Sequence, residues 1–273
     1  TKMAMAYSFS KSEPGDTLED LEIESRSKSF SATVSHPFIR SREQNLSGRI
    51  AYAMKDSQSD FLGGTELSND TTRTVNIGAT YDLVDPWRGV SLLSGNYSKG
   101  LSGTAKNDEA VSRRLGDASF SKFQVTASRN QSLLPGLSLM GLVKGQWTND
   151  QMLSSQEFGY GGAQIGRGYD GSEITGDTGY SGLLELRYGH STGMTFLPDF
   201  QVYTFYDIGV VQNKGADETE KSRTSGASGG VGTRLNLHNN LSASVEYAKT
   251  LTRPLGATNS DENRIFFSLT ARY

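Results

Sequence analysis

Polar and apolar positions alternate with a period of two along almost the whole chain, and helical periodicity is nearly absent. The last segment is the clearest. Ile265, Phe267, Leu269, Ala271 and Tyr273 fall on one face, and Phe266, Ser268, Thr270 and Arg272 on the other. Val75, Ile77, Ala79, Tyr81 and Leu83 alternate in the same way with Asn76, Gly78, Thr80 and Asp82. So do Leu241, Ala243, Val245 and Tyr247 with Ser242, Ser244, Glu246 and Ala248, and Val143, Gly145 and Trp147 with Lys144 and Gln146. Successive side chains of a strand point to opposite faces, so each segment reads as a strand with one apolar and one polar side.

About thirteen such segments are expected, near residues 3–12, 22–37, 45–56, 73–83, 89–99, 121–132, 137–148, 156–164, 180–190, 199–210, 226–237, 241–251 and 264–273. Many run to about ten residues or more, beyond the usual five or six of soluble sheets and suited to a tilted membrane crossing. The connections differ in character. Leu134-Pro135-Gly136 and His238-Asn239-Asn240 are short, whereas Asn213 to Ser225 and Gly100 to Ser119 are long and polar. The inward face carries full charges: Lys144, Glu185, Arg187, Asp207, Arg234 and Glu246. Periodicity alone fits a soluble sandwich as well as a barrel with a wet lumen. Strand length and the contrast of short turns with long loops select the transmembrane antiparallel β-barrel, an all-β fold. Trp87 and Trp147 then fit interfacial girdles.

Composition agrees. The apolar fraction is 35% although 10% of residues are aromatic, as expected when each strand gives only one face to lipid. No apolar run approaches the roughly 18 residues of a transmembrane helix. A net charge of −3 argues against nucleic acid as the main partner. The absence of Cys is compatible with an envelope protein. The opening Thr1-Lys2-Met3 shows no signal peptide, so export information is expected to be missing or processed away.

The chemistry concentrates in one stretch. It runs Glu157-Phe158-Gly159-Tyr160-Gly161-Gly162-Ala163-Gln164-Ile165-Gly166-Arg167-Gly168-Tyr169-Asp170, then Gly176-Asp177-Thr178-Gly179-Tyr180 and Glu185-Leu186-Arg187-Tyr188. Alternation places Gln201, Tyr203, Phe205 and Asp207 opposite Phe200, Val202, Tyr206 and Ile208, which turns Asp207 inward. Glu185 points inward by the same logic, since Leu184, Leu186 and Tyr188 form the lipid face. A guanidinium carried in by the loop would meet carboxylates and could bind one bidentately, a geometry that Lys lacks. The expected contact is Arg167 with Asp207, with Glu185 as second candidate.

The stretch resembles the sixth extracellular loop of the two-partner secretion transporters, the haemolysin secretion/activation class of the Omp85 superfamily. Their loop folds back into the barrel and bears a [VI]-x-R-G-[YF] tip, here Ile165-Gly166-Arg167-Gly168-Tyr169, one residue longer than the commonest compact form. Phe205-Tyr206-Asp207-Ile208-Gly209 resembles the family's F-x-D-x-G strand. Ser29-Phe30 and Ser35-His36-Pro37-Phe38-Ile39-Arg40-Ser41-Arg42, leading into Asn45-Leu46, also look like this class. The resemblance implies one barrel portion over 1–273, with an infolded loop at about 163–180, forming roughly the last strands of a sixteen-stranded barrel. An odd strand count, and a start inside a strand, lead to the expectation that the first strands and the periplasmic POTRA domains are absent here.

The resemblance also implies the bacterial outer membrane and export of a partner exoprotein. Expected contacts are outer-membrane lipid and lipopolysaccharide, and the barrel-assembly machinery during biogenesis. Phe267, Leu269 and Tyr273 resemble the C-terminal assembly signal. A barrel-assembly insertase of the same superfamily and a passive porin are the alternatives. Other readings of these residues are weaker. No amphipathic helix follows the glycines to make a phosphate site. Asp170, Glu173 and Asp177 lack EF-hand spacing, and a solvated acidic loop is preferred. His36, His190 and His238 have no metal-ligand spacing. No Gly-x-Ser-x-Gly elbow or nucleophile–base pair suggests an enzyme, and no cofactor or metal is expected.

Overall fold

The computed structural model describes residues 1–13, 22–101, 112–113, 115–215, 221–237, 240–252 and 263–272. Its strands are β1 (Lys2–Ser12), β2 (Glu24–Arg40), β3 (Gln44–Phe61), β4 (Thr65–Val84), β5 (Gly89–Leu101), β6 (Ser121–Leu134) and β7 (Leu137–Thr148). They continue with β8 (Phe158–Tyr160), β9 (Ile174–Gly176), β10 (Thr178–Ser191), β11 (Asp199–Gln212), β12 (Arg223–Leu237), β13 (Leu241–Thr250) and β14 (Asn263–Ala271). Twelve of them form one sheet in sequence order, and β8 and β9 pair separately. The segment expected near 156–164 is therefore not a wall strand. It shortens to three residues because Gly161 and Gly162 take φ values of +122° and +111°, where an extended ladder cannot continue.

The chain divides into two compact units, one of residues 1–81, 94–124 and 146–157 and the other of 82–93, 125–145 and 158–273. In the first, β2 pairs antiparallel with both β1 and β3. β3 and β4 extend well past the segments expected near 45–56 and 73–83. Their added residues, such as Ser57 to Asp60 and Ser68 to Thr72, are polar on both faces. Alternation disappears there, but the backbone ladder of β3 does not, with Ser25 opposite Ser59 and Glu24 opposite Asp60. The Ser25 and Ser59 hydroxyls sit 2.8 Å apart. Register shifts between Pro37 and Ile39, because Pro37 has no N–H to donate. The strand ends in a turn where the Ser41 hydroxyl accepts from Glu43 N–H and Gln44 N–H. Phe120 and Met152 are fully buried in this unit. Beside them the Arg113 guanidinium donates to Met152 O at 3.2 Å and lies 3.5 Å from Glu157.

In the second unit β10 to β14 form consecutive antiparallel pairs. Alternation gives them two unlike faces. Leu184, Leu186, Tyr188, Val202, Tyr206, Ile208, Val231, Val245 and Tyr247 are exposed, which is the apolar side expected to meet lipid. Leu183, Glu185, Tyr203, Phe205, Asp207, Ser228 and Glu246 are buried on the other side. Trp87 is exposed in a tight turn in which Asp85 accepts from the N–H groups of Trp87 and Gly89. Phe267 and Leu269 are exposed on β14, and Tyr273, His238 and Asn239 lie outside the described residues.

The two faces should respond oppositely to charge. Val245→Arg on the apolar face should cost about 2–4 kcal/mol if it lies near the bilayer midplane. Ser242→Arg, on the polar face, should stay within about 0.5 kcal/mol. Equilibrium refolding into lipid vesicles measures both.

Candidate functional site

The site is built on β11. Its extended backbone lines up Tyr203, Phe205, Asp207 and Gly209 on the buried face. β10 pairs Glu185 with Phe205 and Leu183 with Asp207, which brings the second carboxylate to the same side. On the other flank, β12 sets Gly232 opposite Tyr203, Gly230 opposite Phe205, Ser228 opposite Asp207 and Gly226 opposite Gly209. This row of small residues at period two makes room for the aromatic rings. A Cβ on Gly230 would lie 2.6 Å from the Phe205 ring, and one on Gly226 2.8 Å from Ile174 and 2.9 Å from the rings of Tyr160 and Tyr169.

The loop fills the remaining space. β8 and β9 form its stem, pairing Phe158 with Gly176 and Tyr160 with Ile174. Phe158, Tyr160, Ile165, Tyr169 and Ile174 then pack with Leu183, Tyr203, Phe205, Val211 and Ala248 in one buried cluster. Gly166 takes φ +76°, and that left-handed turn aims two successive N–H groups at one oxygen. Gly166 N and Arg167 N both donate to Asp207 Oδ2, at 3.0 and 3.1 Å. The Arg167 side chain adds Nε to Oδ2 at 3.1 Å and Nη2 to Oδ1 at 3.0 Å. Asp207 thus accepts four N–H groups from two loop residues while it is 0% exposed.

The third guanidinium nitrogen serves two more carboxylates. Arg167 Nη1 donates to Glu185 Oε2 at 3.2 Å and to Glu246 Oε2 at 2.8 Å. Its carbon lies 3.3 Å from the Phe205 ring centre, a cation–π contact in a water-poor setting. The loop glycines are needed for approach as well as for turning. A Cβ on Gly168 would lie 2.9 Å from Thr250 N and from the side chains of Ser228 and Thr250. Tyr169 locks the far side: its hydroxyl accepts from Ala227 N–H at 3.1 Å and lies 2.6 Å from Thr252 Oγ1. Asp170 is at the surface, where Arg264 Nη1 binds it at 2.7 Å while Arg264 Nε donates to Gly168 O at 3.1 Å.

Of the residues singled out in the loop motif, the structure brings Gly166 and Arg167 to Asp207, and Arg167 to Glu185. Gly168 and Tyr169 instead pack against β12 and residues 250–252, and Asp170 stays at the surface. Sequence reasoning missed Glu246 as a third carboxylate for Arg167, although it had placed that residue inward. It also missed Tyr160, Arg264 and the small-residue row of β12. The row was visible as Gly226, Ser228, Gly230 and Gly232 at period two, facing a strand with Tyr203 and Phe205 at the same spacing. Glu173 and Asp177 take backbone partners: Glu173 accepts from Asp170 N–H at 2.7 Å, and Asp177 from Lys214 N–H at 2.8 Å. No group of His, Cys, Asp and Glu suited to a metal occurs among the described residues.

The sequence profile of the haemolysin secretion/activation protein ShlB/FhaC/HecB family matches residues 2–235. The chain belongs to that family. Its fold is shared with solved structures. CdiB from Escherichia coli superposes with a TM-score of 0.78 at 15% identity, over 98% of this chain and 49% of the other. CdiB from Acinetobacter baumannii does so with 0.74 at 17% identity, over 99% and 47%. BamA from Haemophilus ducreyi lacking POTRA domains 1-3 gives 0.62 at 11%, over 98% and 62%. The chain thus spans about half the length of either CdiB. No curated protein sequence matches it. Family and fold together make this an outer-membrane β-barrel.

Three variants test the geometry of the loop. Arg167→Ala would leave three buried carboxylates without their shared partner, and breaking a buried ion pair costs about 3–5 kcal/mol. The loop should undock while the barrel stays folded, read as protease cleavage within 163–180 of otherwise heat-resistant protein. Arg167→Lys keeps the charge but loses the fork, and should give intermediate cleavage. The Asp170 carboxyl is held below its usual range by its hydrogen bond to Arg264. A lowered pKa stabilises the docked loop above the ordinary carboxylate range, and the contribution fades as pH falls below about 4. Asp170→Asn should remove that part of the acid sensitivity of loop cleavage.

Proposed function

We propose that this chain is the barrel of a two-partner secretion translocator, which exports one partner exoprotein across the outer membrane. The observation that carries the reading is the loop held inside the sheet by Arg167, through Asp207, Glu185 and Glu246. A barrel that only needed to be closed could use inert packing. A buried three-carboxylate clasp on a loop instead makes an assembly with two discrete arrangements, docked and released, separated by a few broken polar contacts. The exported chain is recognised in the periplasm, then passes through the lumen in extended form. Folding outside the cell supplies the direction, since no nucleotide is available at this membrane. Outer-membrane lipid and lipopolysaccharide cover the apolar face, and the barrel-assembly machinery inserts the chain.

The test is export of the partner exoprotein by cells carrying the full-length protein, measured in the medium. Loss of the transporter should abolish it, and Arg167→Ala should reduce it at equal surface abundance. Normal export by Arg167→Ala at equal abundance would sink the role given to the loop. An assembly insertase would instead, on deletion, lower the levels of many outer-membrane proteins. A porin would show a steady conductance indifferent to Arg167.

A further inference from the structure

Glu185 divides its two oxygens between the loop and the wall strands. Oε2 accepts from Arg167 on the loop, at 3.2 Å. Oε1 accepts from Arg187 Nε at 2.6 Å and from Arg234 Nη1 at 3.0 Å, both carried by wall strands. Arg234 is anchored further by Gln201 Oε1 at 2.6 Å and by the Tyr203 ring, 4.0 Å from its guanidinium carbon. The Tyr203 hydroxyl donates at 2.8 Å to Glu246 Oε2, the same oxygen that Arg167 Nη1 uses. Arg234 and Arg187 keep 41% and 21% of their side chains exposed, against 4% for Arg167. The wall arginines reach water, and the loop arginine does not.

With the loop docked, Arg167, Arg187 and Arg234 balance Asp207, Glu185 and Glu246. With the loop withdrawn, two cations face three carboxylates, so the vacated cluster holds a net charge of −1. Without the wall pair it would hold −3, and its pull on Arg167 would be far stronger. The two anchors of the loop differ accordingly. Among the described residues, the hydrogen bonds that Asp207 accepts come from Gly166 and Arg167, so Asp207 commits to the loop. Glu185 is already served from the wall and loses little when Arg167 leaves.

We propose that Arg187 and Arg234 are positioning residues that oppose loop docking. They hold Glu185 partly neutralised and thereby keep the Arg167 clasp weak enough to open. The purpose assigned to that opening rests on the transport reading above; the charge balance itself does not.

The two can be tested apart in the full-length protein reconstituted in vesicles. Ile165 is 5% exposed in the docked loop, so Ile165→Cys as the sole thiol reports release by its rate of labelling with a water-soluble maleimide. Arg234→Gln should slow labelling on the order of fivefold, a coupling typical of groups sharing one ionic network. Arg234→Lys should restore the rate, and raising the salt concentration should narrow the difference. Arg187→Gln should act in the same direction, and serves alone if Arg234→Gln fails to assemble. A merely structural role for these arginines, as props for Glu185 and Tyr203, predicts the opposite sign. Faster or unchanged labelling in the Gln variants overturns the proposal. Slower labelling with undiminished export of the partner exoprotein overturns the transport role of the loop instead, and leaves the charge balance standing.

Discussion

A carboxylate with no access to water must find its hydrogen bonds inside the protein, and Asp207 finds four of them on a loop. Much else in the second unit follows from that demand. Burying Asp207 without donors would cost several kcal/mol, and burying Arg167 alone would cost a comparable amount. Each makes the other tolerable, and neither is satisfied by its own strand or turn. The pair therefore enforces one position of the loop, because bidentate geometry fixes direction as well as charge. Glu185, Glu246 and the Phe205 face complete the shell around the guanidinium.

The backbone around the clasp is shaped to let it form. Gly166 supplies the left-handed turn that points two N–H groups at one oxygen. Gly168 lets the chain lie against Thr250 and Ser228. The small residues of β12 leave the volume into which Tyr160, Tyr169, Tyr203 and Phe205 project. Side-chain bulk on the wall and on the loop are thus complementary, and a larger residue on either would push the guanidinium away from its partners. Tyr169 and Arg264 extend the fastening to β12, to Thr252 and to β14, so the loop bridges strands that are not neighbours in the sheet.

In the transport role proposed above, this arrangement would serve because its strength can be set by neighbouring charges. An apolar plug of the same size would be held by area alone, and its release would need no specific trigger. An ionic clasp is lost in a few discrete contacts, and its affinity depends on every charge in the cluster. Arg187 and Arg234 sit where they can set that affinity without touching the loop backbone. On the proposal above, the docked and released states would differ by a local electrostatic balance, while the wall strands stay paired.

The alternation of side chains was enough to determine that the chain makes long, two-faced antiparallel strands, and which residues of β10, β11 and β13 turn inward. That legibility has a simple cause: where one face meets lipid, a one-residue slip would bury charge in hydrocarbon, so composition must track register. The same rule fails where both faces are wet. The outer parts of β3 and β4 were unreadable because Ser, Asn, Asp and Thr occupy both sides, and only the ladder keeps them extended. The segment near 156–164 looked like a wall strand because its apolar residues pack against a protein interior, which periodicity cannot tell from lipid. Residue types within one strand and one motif marked Arg167, Asp207 and Glu185. Whether Glu246 joined them was decided by how far β13 lies from β11, and that is a matter of register across β12. Sequence specifies what each strand offers to its two sides; only the folded sheet decides which offers meet across it, because those distances are set by pairing between residues far apart in the chain.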